Sequence, residues 1–524
     1  MKDLGNYRPQ GDAEREAVAA WENGSLSRED MLHITVSAVI TDACAERLLM
    51  VQHNIYRAWS LPGGHADGEA DLMAVCLREI AEETGLKEVY PVGGILSVDL
   101  LPVPSHSRRG KQVPAHTHCN VTYGFYAPDG LPIRTCPEEN SGVMWVTKTS
   151  LETICHETHM LPLYQKCFTR MQAAMQAQRG ALPSIVEPLL QWYRRHARVL
   201  PWREDASPYR VWVSEIMLQQ TRVEAVKPYF ERFLAALPDV AHLAAASDDE
   251  RYKLWEGLGY YSRVRNMGKA AQVIMERYGG EFPKNYHEVL SLPGIGAYTA
   301  GAICSISYGM PTPAVDGNVL RVWARITESC EDILKQQTKN HVTGLLRDIY
   351  PPGRCGAFTQ ALMELGATVC VPNGAPKCNV CPVAFLCRAY HGNTVLQFPV
   401  RAPKKARRIE ERTVFILTCG GRIAVCRRPD HGLLAGLWEF PNVLGVYTAE
   451  TFNEPLQHWG VQAAELKKSI GARHIFTHVE WHMTGFFVEC ANQPEAFEWV
   501  TKEAFARHIA LPSAFRAFYN ALDG

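Results

Sequence analysis

Residues 292–318 read LPGIGAYTAGAICSISYGMPTPAVDGN, and the rest of the chain is organised around this stretch. An apolar helix end is followed by a Gly-Ile-Gly turn, Gly294–Gly296, and by a second predicted helix from about Tyr298. Closely spaced glycines allow a tight hairpin, and the unpaired amides that open the second helix can hold a phosphate. Asp316 follows in a loop before an apolar helix over residues 319–326. A hairpin that grips a backbone, followed by a carboxylate, indicates chemistry on a nucleic acid, although any helix-turn-helix corner shares the hairpin.

Length and composition describe a large globular protein. The chain has 524 residues, of which 47% are hydrophobic and 21% charged; this length suits about three or four domains. The N-terminus is polar and no run of about 18 apolar residues occurs, so we expect neither a signal peptide nor a membrane span. We therefore expect the protein in the cytoplasm. We also expect a monomer. Sixteen cysteines in such a chain predict reduced thiols, not a disulfide framework.

The net charge of −1 averages over unlike segments. Residues 401–412 hold six basic and two acidic side chains. Two further basic groups are Arg194, Arg195, Arg198 and Arg203, and Arg263, Arg265 and Lys269. Each group alone is typical of solvated surface, but the three together favour a face that follows phosphates.

The N-terminal region alternates strands with one acidic helix. Residues 31–40 and 47–53 are β-branched and bounded by turns, which predicts strands. The helix expected over residues 71–84 would bury its apolar side chains, Leu72, Val75, Leu77 and Ile80. Glu79, Glu82 and Glu83 share one helix face. They form either a solvated acidic surface or a cluster held by Mg²⁺ or Mn²⁺, which prefer oxygen ligands.

Residues 78–86, REIAEETGL, resemble the second half of the Nudix box, REUxEExGU. Gly64 occupies the glycine position of the box, whereas its first glutamate position is Ala70, with Glu69 one place earlier. The resemblance implies an α/β/α sandwich that hydrolyses a nucleoside diphosphate linked to another group. It further implies that Glu79, Glu82, Glu83 and the Gly64 carbonyl bind the divalent metal, with Glu139 as a candidate extra base or ligand.

The middle of the chain is predicted to be helical and offers a pair of carboxylates. Ser207 and Pro208 begin a helix expected over residues 207–223, on which Glu215 lies beside an apolar stripe that includes Val211, Trp212, Ile216 and Leu218. Glu215 is either a surface residue or an acid whose pKa is raised by an apolar pocket. Asp316 is a candidate helix N-cap, which also fixes its orientation. Two carboxylates from distant segments suit cleavage of a glycosidic bond.

Four cysteines are clustered near residue 380. Cys370, Cys378, Cys381 and Cys387 have the spacing C-x7-C-x2-C-x5-C, which strongly indicates a metal site. Zinc and an iron–sulfur cluster are both candidates, and the proline after Cys381 favours iron–sulfur.

Several motifs together resemble the helix-hairpin-helix base-excision glycosylases of the MutY type. The motifs are LPWR at 200–203, SEIMLQQT at 214–221, LWEGLGYYSRVRN at 254–266, LPGIGAYTAG at 292–301 and VDGNV at 315–319. This resemblance implies a 4Fe-4S cluster on the four cysteines, although the family usually has C-x6-C first. Bifunctional relatives carry a lysine where this chain has Tyr298, so a monofunctional glycosylase with at most weak strand cleavage is expected.

The resemblance also implies roles for individual residues. The catalytic group is Glu215 as proton donor to adenine, Asp316 as support for the oxocarbenium-like centre, and Tyr298 and Asn318 as positioning residues. The adenine pocket would be lined by Trp202, Arg203, Leu218 and Glu364. The DNA and the opposite base would meet Gln219, Gln220, Thr221, Tyr260, Gly294 and Gly296. For Trp202, Leu218 and Tyr260, core packing is an equal alternative.

The C-terminal region resembles a Nudix shell without its box. Strands are expected at residues 413–418 and 422–427, and residues 427–442 resemble the opening of a Nudix fold, yet no REUxEExGU follows. This pattern predicts a binding module, not a second hydrolase. Phe476, Thr477 and His478 match the Phe-Ser-His loop with which MutY proteins recognise 8-oxoguanine, although a buried strand end is an alternative.

The sequence therefore predicts a multidomain α+β chain. We expect an N-terminal Nudix sandwich at residues 1–176 and an all-α glycosylase at 181–392, with its cluster loop at 370–387. A basic linker at 393–412 and a silent Nudix-like α+β domain at 413–524 would follow. The expected DNA-repair enzyme removes adenine opposite 8-oxoguanine and carries a Nudix hydrolase, whose substrate is 8-oxo-dGTP, a nucleoside diphosphate sugar or a dinucleotide. The rivals are an endonuclease III-like glycosylase/lyase and a DNA-damage scaffold with dead sites.

Overall fold

The computed structural model describes residues 4, 7–55, 57–108, 111–128, 130–402 and 406–522. The chain folds as two compact units, Met1–Ala197 with Val315–Arg401, and Arg198–Ala314 with Ala402–Gly524. Within the described ranges, no helix has the length and apolar character needed to cross a bilayer. Pro403, Lys404 and Lys405 of the predicted linker lie outside the described residues.

The first unit contains a mixed sheet whose centre is a parallel strand pair. Leu32–Thr41 and His116–Tyr126 pair in parallel, and the other pairings are antiparallel. Among the described residues the order is Ala58–Ser60, Arg47–His53, Leu32–Thr41, His116–Tyr126 and Tyr90–Val103, with Gly63–His65 beside Leu32–Thr41 and Asn140–Thr147 beside Arg47–His53. A small ribbon joins His106–Arg108 to Lys111–Val113.

Helices cover this sheet and extend the first unit. They are Asp12–Asn23, Leu72–Thr84, Lys148–Ile154, Leu161–Gln178, Val186–His196, Gly317–Thr327, Gln336–Arg347, Cys355–Thr368 and Arg388–His391, with 3-10 turns at Leu182–Ile185, Cys378–Val380, Ala384–Leu386 and Val395–Gln397. Apolar side chains from the sheet, from Leu161–Gln178 and from the later helices form one continuous core. Tyr126 of the sheet donates to the Cys381 carbonyl at 2.8 Å, so the cysteine loop packs directly on the N-terminal sheet.

The second unit repeats the sheet topology of the first. Arg408–Cys419 and Val479–Cys490 form its parallel pair. The order is Trp438–Glu439, Arg422–Arg427, Arg408–Cys419, Val479–Cys490 and Ala463–Ile475, with Asn442–Leu444 beside Arg408–Cys419 and Glu498–Thr501 beside Arg422–Arg427. Its helices are Pro208–Leu218, Val223–Ala236, Val240–Ala245, Asp248–Trp255, Ser262–Tyr278, Tyr286–Ser291, Ala297–Tyr308, Asn453–His458, Lys502–His508 and Arg516–Asn520, with 3-10 turns at Pro201–Arg203 and Ser513–Phe515.

Most predicted elements are present, with some boundary corrections. The helix predicted over residues 207–223 ends at Leu218, and a separate helix begins at Val223. Leu77 was expected in the core but is 37% exposed, because buried Cys76 occupies the inward position beside it. The strand predicted from residue 413 begins at Arg408, inside the segment assigned to the linker. None of the sixteen cysteines, all of which lie within the described residues, forms a disulfide bond.

The helix Ala297–Tyr308 packs closely on the loop that follows it, and Gly301 makes this approach possible. A Cβ atom at Gly301 would lie 2.3 Å from the Pro313 carbonyl oxygen, and that oxygen is backbone and cannot move aside freely. Close backbone approach therefore fixes how the helix meets the segment leading to Asp316.

We predict that Gly301→Ala lowers the free energy of unfolding of the second unit by about 1–3 kcal/mol, because the added methyl overpacks the contact. Thermal and urea unfolding of the full-length protein measure this change. Gly471→Ala is the matched control, since its nearest neighbour atom would be 4.0 Å away. Equal stability of the two variants would contradict the packing argument.

Candidate functional sites

Glu215 is a buried acid, not a surface residue. It lies on the helix Pro208–Leu218, is 6% exposed, and is surrounded by the apolar stripe of that helix. The Tyr298 hydroxyl donates a hydrogen bond to Glu215 Oε2. Since Tyr298 is in the first turn of Ala297–Tyr308, the hairpin and the carboxylate helix are joined through this pair. A desolvated carboxyl held by a hydroxyl is suited to proton transfer.

Asp316 is the N-cap of the helix Gly317–Thr327. Its Oδ1 accepts the Val319 amide at 2.8 Å, and its Oδ2 accepts Asn318 Nδ2 at 2.6 Å. Burial raises the pKa of Asp316, while these hydrogen bonds and the charge of Arg321 act in the opposite direction. Capping and a chemical role are therefore compatible, because the cap fixes the direction of the carboxylate.

The hairpin has the geometry that its glycines predict. Gly294 has φ +76°, and a Cβ there would lie 2.6 Å from Asn266 Cβ. Gly296 is the N-cap of Ala297–Tyr308, and no atom lies within 4 Å of the position a Cβ would take. The amides that open this helix are thus approachable by a backbone phosphate.

The residues predicted to line an adenine pocket occur in both units. Trp202 is 6% exposed and meets Phe230 edge-on at 5.5 Å, so it serves the core as well. Half-buried Leu218 packs against the same apolar cluster. Arg203 donates to the Arg198 carbonyl at 3.0 Å. Glu364 belongs to the first unit, where it is fully buried on the helix Cys355–Thr368.

Arg263 contradicts its predicted role in a phosphate-tracking face. Its guanidinium donates to the carbonyls of Ile216 and Gln219, both at 2.7 Å, and to that of Leu258 at 3.1 Å. Burial lowers its pKa to about 10. Because its donors are used internally, Arg263 fixes the end of the Glu215 helix and the turn at Gln219 instead of contacting a phosphate.

The residues predicted to meet the opposite base are displayed on turns. Gln220 and Tyr260 have φ of +59° and +48°, which is uncommon for side-chain-bearing residues. Tyr260 is 48% exposed, and its hydroxyl lies 3.0 Å from Thr477 Oγ1. Thr477 and His478 are exposed, so the alternative of a buried strand end is wrong. This contact joins the helical and C-terminal parts of the second unit near the predicted recognition loop. Gln219 and Thr221 flank Gln220.

The C-terminal sheet is attached firmly to the helices of the second unit. Asp249 accepts Trp438 Nε1 at 3.2 Å and forms an ion pair with Arg427. Lys253 donates to the Ile509 carbonyl at 3.1 Å. Leu437 is fully buried in the helical core. Apolar contact, charge and hydrogen bonds therefore all hold Thr477 in a defined position relative to Tyr260.

The four clustered cysteines line one small cavity. Burial raises the pKa of Cys387 to about 12 and raises that of Cys381 well above its ordinary value, and the neighbouring thiols add to both shifts by mutual repulsion. Such groups ionise when a metal provides positive charge. The donor set and the cavity fit a group bound by four thiolates, as predicted for Cys370, Cys378, Cys381 and Cys387.

Two buried arginines beside the cysteines were not predicted from the sequence. Arg325 donates to Cys370 Sγ at 3.2 Å, and Arg321 donates to the Cys370 carbonyl at 2.7 Å. Each is 3% exposed. Their spacing of four residues on an apolar helix places them on one face, and this spacing is the sequence pattern that could have identified them. Their charges offset the negative charge of bound thiolates.

The acidic helix of the N-terminal domain is a partly buried carboxylate cluster, not a solvated face. Glu83 is 2% exposed and accepts the Gly63 amide at 2.9 Å. Burial raises its pKa to about 8, helped by repulsion from Glu79 and Glu139. Burial, with Glu139 and exposed Glu82, raises the pKa of Glu79 to about 7. Such mutual repulsion is the condition that a divalent cation relieves.

The neighbours of this cluster account for the glycine and the shifted glutamate of its motif. A Cβ on Gly64 would lie 2.4 Å from the Glu79 carboxylate, so a side chain at this position would displace that carboxylate. Glu69 accepts Arg78 Nη1 at 2.6 Å and thereby restrains the residue preceding Glu79. Glu69 supplies this outer support although the usual glutamate position is Ala70.

Comparison with known families agrees with these sites. Residues 31–167 and 413–521 each match the model described as NUDIX domain, and residues 213–348 match the HhH-GPD superfamily of base excision DNA repair proteins. The predicted multidomain fold class is thereby confirmed: two Nudix domains flank a helical region.

Relatives that align with 64% of the chain extend the comparison. The chain is 35% identical over 399 residues to an adenine DNA glycosylase of Rattus norvegicus, covering 64% of this chain and 77% of that protein. It is 34% identical over 405 residues to the Homo sapiens adenine DNA glycosylase, covering 64% and 74%. A solved thermostable thymine-DNA glycosylase aligns with TM-score 0.36 and 27% identity, over 40% of this chain and 95% of that one. The base excision repair family match and the adenine DNA glycosylase relatives support DNA as a partner. The chain belongs to the adenine DNA glycosylase family, as a hydrolase of base excision repair with a fused Nudix hydrolase domain.

Proposed function

We propose that this enzyme hydrolyses the N-glycosidic bond of adenine paired with 8-oxoguanine. The buried Glu215 carboxyl hydrogen-bonded to Tyr298 carries this proposal, because it supplies a desolvated proton donor. The exposed Thr477 and His478, linked to Tyr260, supply a surface for the opposite base. Adenine is flipped out of the helix for this chemistry, at a cost that is least for a mispair.

Glu215 and Asp316 divide the reaction between them. Glu215 protonates the departing adenine, which makes a neutral leaving group. Asp316 supports the positive charge that develops on the sugar while water attacks. Tyr298 orients Glu215 through its hydroxyl, and Asn318 orients Asp316 through its amide. In the second unit, Trp202, Arg203 and Leu218 are proposed to contact the extruded base; Glu364 of the first unit is assigned to the same role by the resemblance alone.

Tyr298 makes the enzyme monofunctional. A lysine amine at this place would attack the sugar and lead to strand cleavage, whereas a phenol forms no Schiff base. The phenol of Tyr298 is already engaged with Glu215. The product is therefore an abasic site on an intact strand, which distinguishes this chain from an endonuclease III-like lyase.

The family and the Nudix domain suggest an iron–sulfur cluster and a divalent metal in general. We assign a 4Fe-4S cluster to Cys370, Cys378, Cys381 and Cys387, where Arg321 and Arg325 supply compensating charge. The cluster, when bound, would crosslink the loop that carries these thiols.

The N-terminal domain is proposed to cleave a nucleotide pyrophosphate bond. Glu79, Glu82, Glu83 and the Gly64 carbonyl would hold Mg²⁺ or Mn²⁺, which neutralises pyrophosphate and activates water when bound. Glu139 lies close enough to influence both Glu79 and Glu83 electrostatically. Because the other domains address guanine oxidation, 8-oxo-dGTP is the first substrate to test, with nucleoside diphosphate sugars and dinucleotides as rivals.

The C-terminal sheet is proposed as a binding module. Between its strands Asn442–Leu444 and Ala463–Ile475 lies a helix of six residues, Asn453–His458, with the single acid Glu454. The corresponding helix of the N-terminal domain has thirteen residues and three clustered glutamates. The proposed domains are residues 1–176, 181–392 and 413–524. The linker 393–412 connects the second domain to the third. We propose that the protein is a monomer.

The glycosylase proposal is tested with a duplex containing adenine opposite 8-oxoguanine. Wild-type protein should convert it to an abasic product that breaks only after alkali, and Asp316→Asn and Glu215→Gln should lower the rate roughly 10²–10⁴-fold. Single-turnover kinetics measure both effects. Absence of an abasic product, strand breaks without alkali, or an unchanged Asp316→Asn rate would each refute the proposal.

A matched pair of histidine variants separates recognition from chemistry in the same assay. His478→Ala should lower the preference for adenine opposite 8-oxoguanine over adenine opposite guanine by about tenfold, as expected for loss of one base contact. His458→Ala, an equally exposed histidine of the same domain, should keep the preference. Equal preferences in the two variants would exclude the loop from base recognition.

The Nudix proposal is tested with a nucleotide panel in Mg²⁺. Glu82→Gln should abolish release of pyrophosphate or phosphate from the preferred nucleotide, because it removes a proposed metal ligand. Adenine excision should remain intact, because Glu82 has no role in the proposed glycosylase site. Glu22→Gln, an exposed helical glutamate of the same domain, is the control. Loss of both activities in Glu82→Gln would contradict independent sites.

The raised carboxyl pKa values predict a pH-dependent stability. The folded-state pKa values of about 7 and 8 for Glu79 and Glu83 lie above the value of 4.5 for a free glutamate. The stabilising contribution of the protonated groups is thus complete below pH 4.5 and is lost as pH rises through 7 to 8. In EDTA the melting temperature should fall across this window, and Mg²⁺ should restore it at pH 8. Glu83→Gln should weaken both effects; an unchanged response would disprove the assignment.

A further inference from the structure

The N-terminal sheet carries a second group of ligand-forming side chains that the Nudix chemistry does not use. His33, His65, His116 and His118 lie on three neighbouring strands. His33 is opposite His118 in the parallel pair, and His65 is opposite Thr35, two residues from His33. Since alternate residues of a strand share a face, all four imidazoles lie on the same face of the sheet.

The imidazole rings are crowded together. The rings of His33 and His116 are 5.0 Å apart, and those of His33 and His118 are 4.7 Å apart. His65 is 5.1 Å from both His33 and His118. The ligand nitrogens of His33, His116 and His118 all lie within 4.8 Å of one another.

Hydrogen bonds orient two of these rings as metal ligands are usually oriented. His33 Nδ1 lies 2.7 Å from the Asp30 carbonyl oxygen, and His116 Nδ1 lies 2.9 Å from that of Pro114. A carbonyl can only accept, so each Nδ1 donates a proton to it and each Nε2 is the nitrogen that could bind a cation. A histidine that donates one N–H to a carbonyl while the other nitrogen meets a cation is the common arrangement at metal sites.

The second ring nitrogen of His33 lacks a partner, and those of His116 and His118 lie close together. His33 is 2% exposed, and its Nε2 is buried without a hydrogen-bond partner. A buried lone pair without a partner is unfavourable. His116 Nε2 and His118 Nε2 are only 3.1 Å apart. Two nitrogens bound tetrahedrally to one zinc ion at about 2.05 Å would be about 3.3 Å apart, which is close to this separation.

We propose that His33, His116 and His118 bind a Zn²⁺ ion, with His65 within reach of the same ion. Neutral imidazoles suit zinc and other borderline transition metals, whereas Mg²⁺ prefers oxygen. The site is therefore chemically distinct from the carboxylate cluster. A cation there would give His33 Nε2 its partner and would replace the close contact between His116 and His118 by two coordinate bonds.

The proposed zinc site is structural: it stabilises the strand Gly63–His65, which contacts the acidic helix. His65 directly follows Gly64, whose backbone abuts the Glu79 carboxylate. Adjacent residues of a strand face opposite ways, so the imidazoles and the carboxylates use opposite faces of Gly63–His65. Crosslinking Leu32–Thr41 and His116–Tyr126 beside this strand fixes the sheet on which the Gly63 amide meets Glu83.

The test uses full-length protein, Zn²⁺ alone as probe, and Mg²⁺-free buffer. His116→Asn/His118→Asn changes two half-buried residues and keeps every cysteine and glutamate, so the other metal sites are equal in all samples. His156→Asn, an exposed histidine of the same domain, is the matched control. After gel filtration, elemental analysis should find one zinc equivalent fewer in the double variant than in wild type and the control.

Two further readouts do not depend on activity. Added Zn²⁺ should raise the melting temperature of wild type and His156→Asn, but not that of the double variant. In difference spectra, added Co²⁺ should give wild type and His156→Asn the visible bands of a tetrahedral ion, and these bands should be missing from the double variant. Equal zinc content in all three proteins, or an equal thermal shift, would overturn the proposal. The single variant His116→Asn repeats the test if the double variant does not fold.

Discussion

Two buried arginines on the helix Gly317–Thr327 hold together the part of the first unit that carries Asp316 and the cysteines. Arg321 donates to the carbonyls of Gly366 and Cys370, and Arg325 donates to those of Val371 and Phe398. The Gly366 carbonyl is in the last turn of the helix Cys355–Thr368, where intrahelical partners end, and the other three carbonyls are in loops. Buried carbonyls must be satisfied. A guanidinium with five donors is the side chain that can serve several of them at once.

This constraint links a carboxylate to a metal-binding loop. Asp316 caps the start of the helix, and the Cys387 thiol donates to the carbonyl of Arg325 near its end. Asn318, whose amide orients Asp316, also accepts a hydrogen bond from Arg321 at 2.8 Å. The cysteine loop and the residues around Asp316 are therefore connected by hydrogen bonds through Arg321.

The two sheets demonstrate how one topology serves different purposes. Each is built on a central parallel pair, with the same order of neighbouring strands. In the N-terminal sheet a thirteen-residue helix presents Glu79, Glu82 and Glu83 beside Gly64. In the C-terminal sheet a six-residue helix replaces it, and the conspicuous exposed features are on the loop with Thr477 and His478. The shell determines where groups are displayed, and the side chains determine whether the site is catalytic or a recognition surface.

Local patterns were sufficient for the elements and for the family. The acidic helix, the hairpin glycines, the Asp316 cap and the cysteine spacing each depend on residues close in sequence, and short-range geometry allows few alternatives for them. The sequence did not predict that one helix ends at Leu218 and another begins at Val223, or that Leu77 is exposed. The periodicity of apolar residues does not show which residue a neighbouring element covers.

The sequence by itself determined the types of residue that bring chemistry: the carboxylates, the four thiols and Tyr298 in place of lysine. Tertiary structure alone decided their state. It buried Glu215 and Glu83, turned Arg263 inward onto carbonyls, placed Arg321 and Arg325 beside the thiols, and gathered four histidines from three strands. The physical reason is that desolvation and hydrogen bonding depend on groups distant in the chain, so a residue's charge and partners are fixed only when those groups meet.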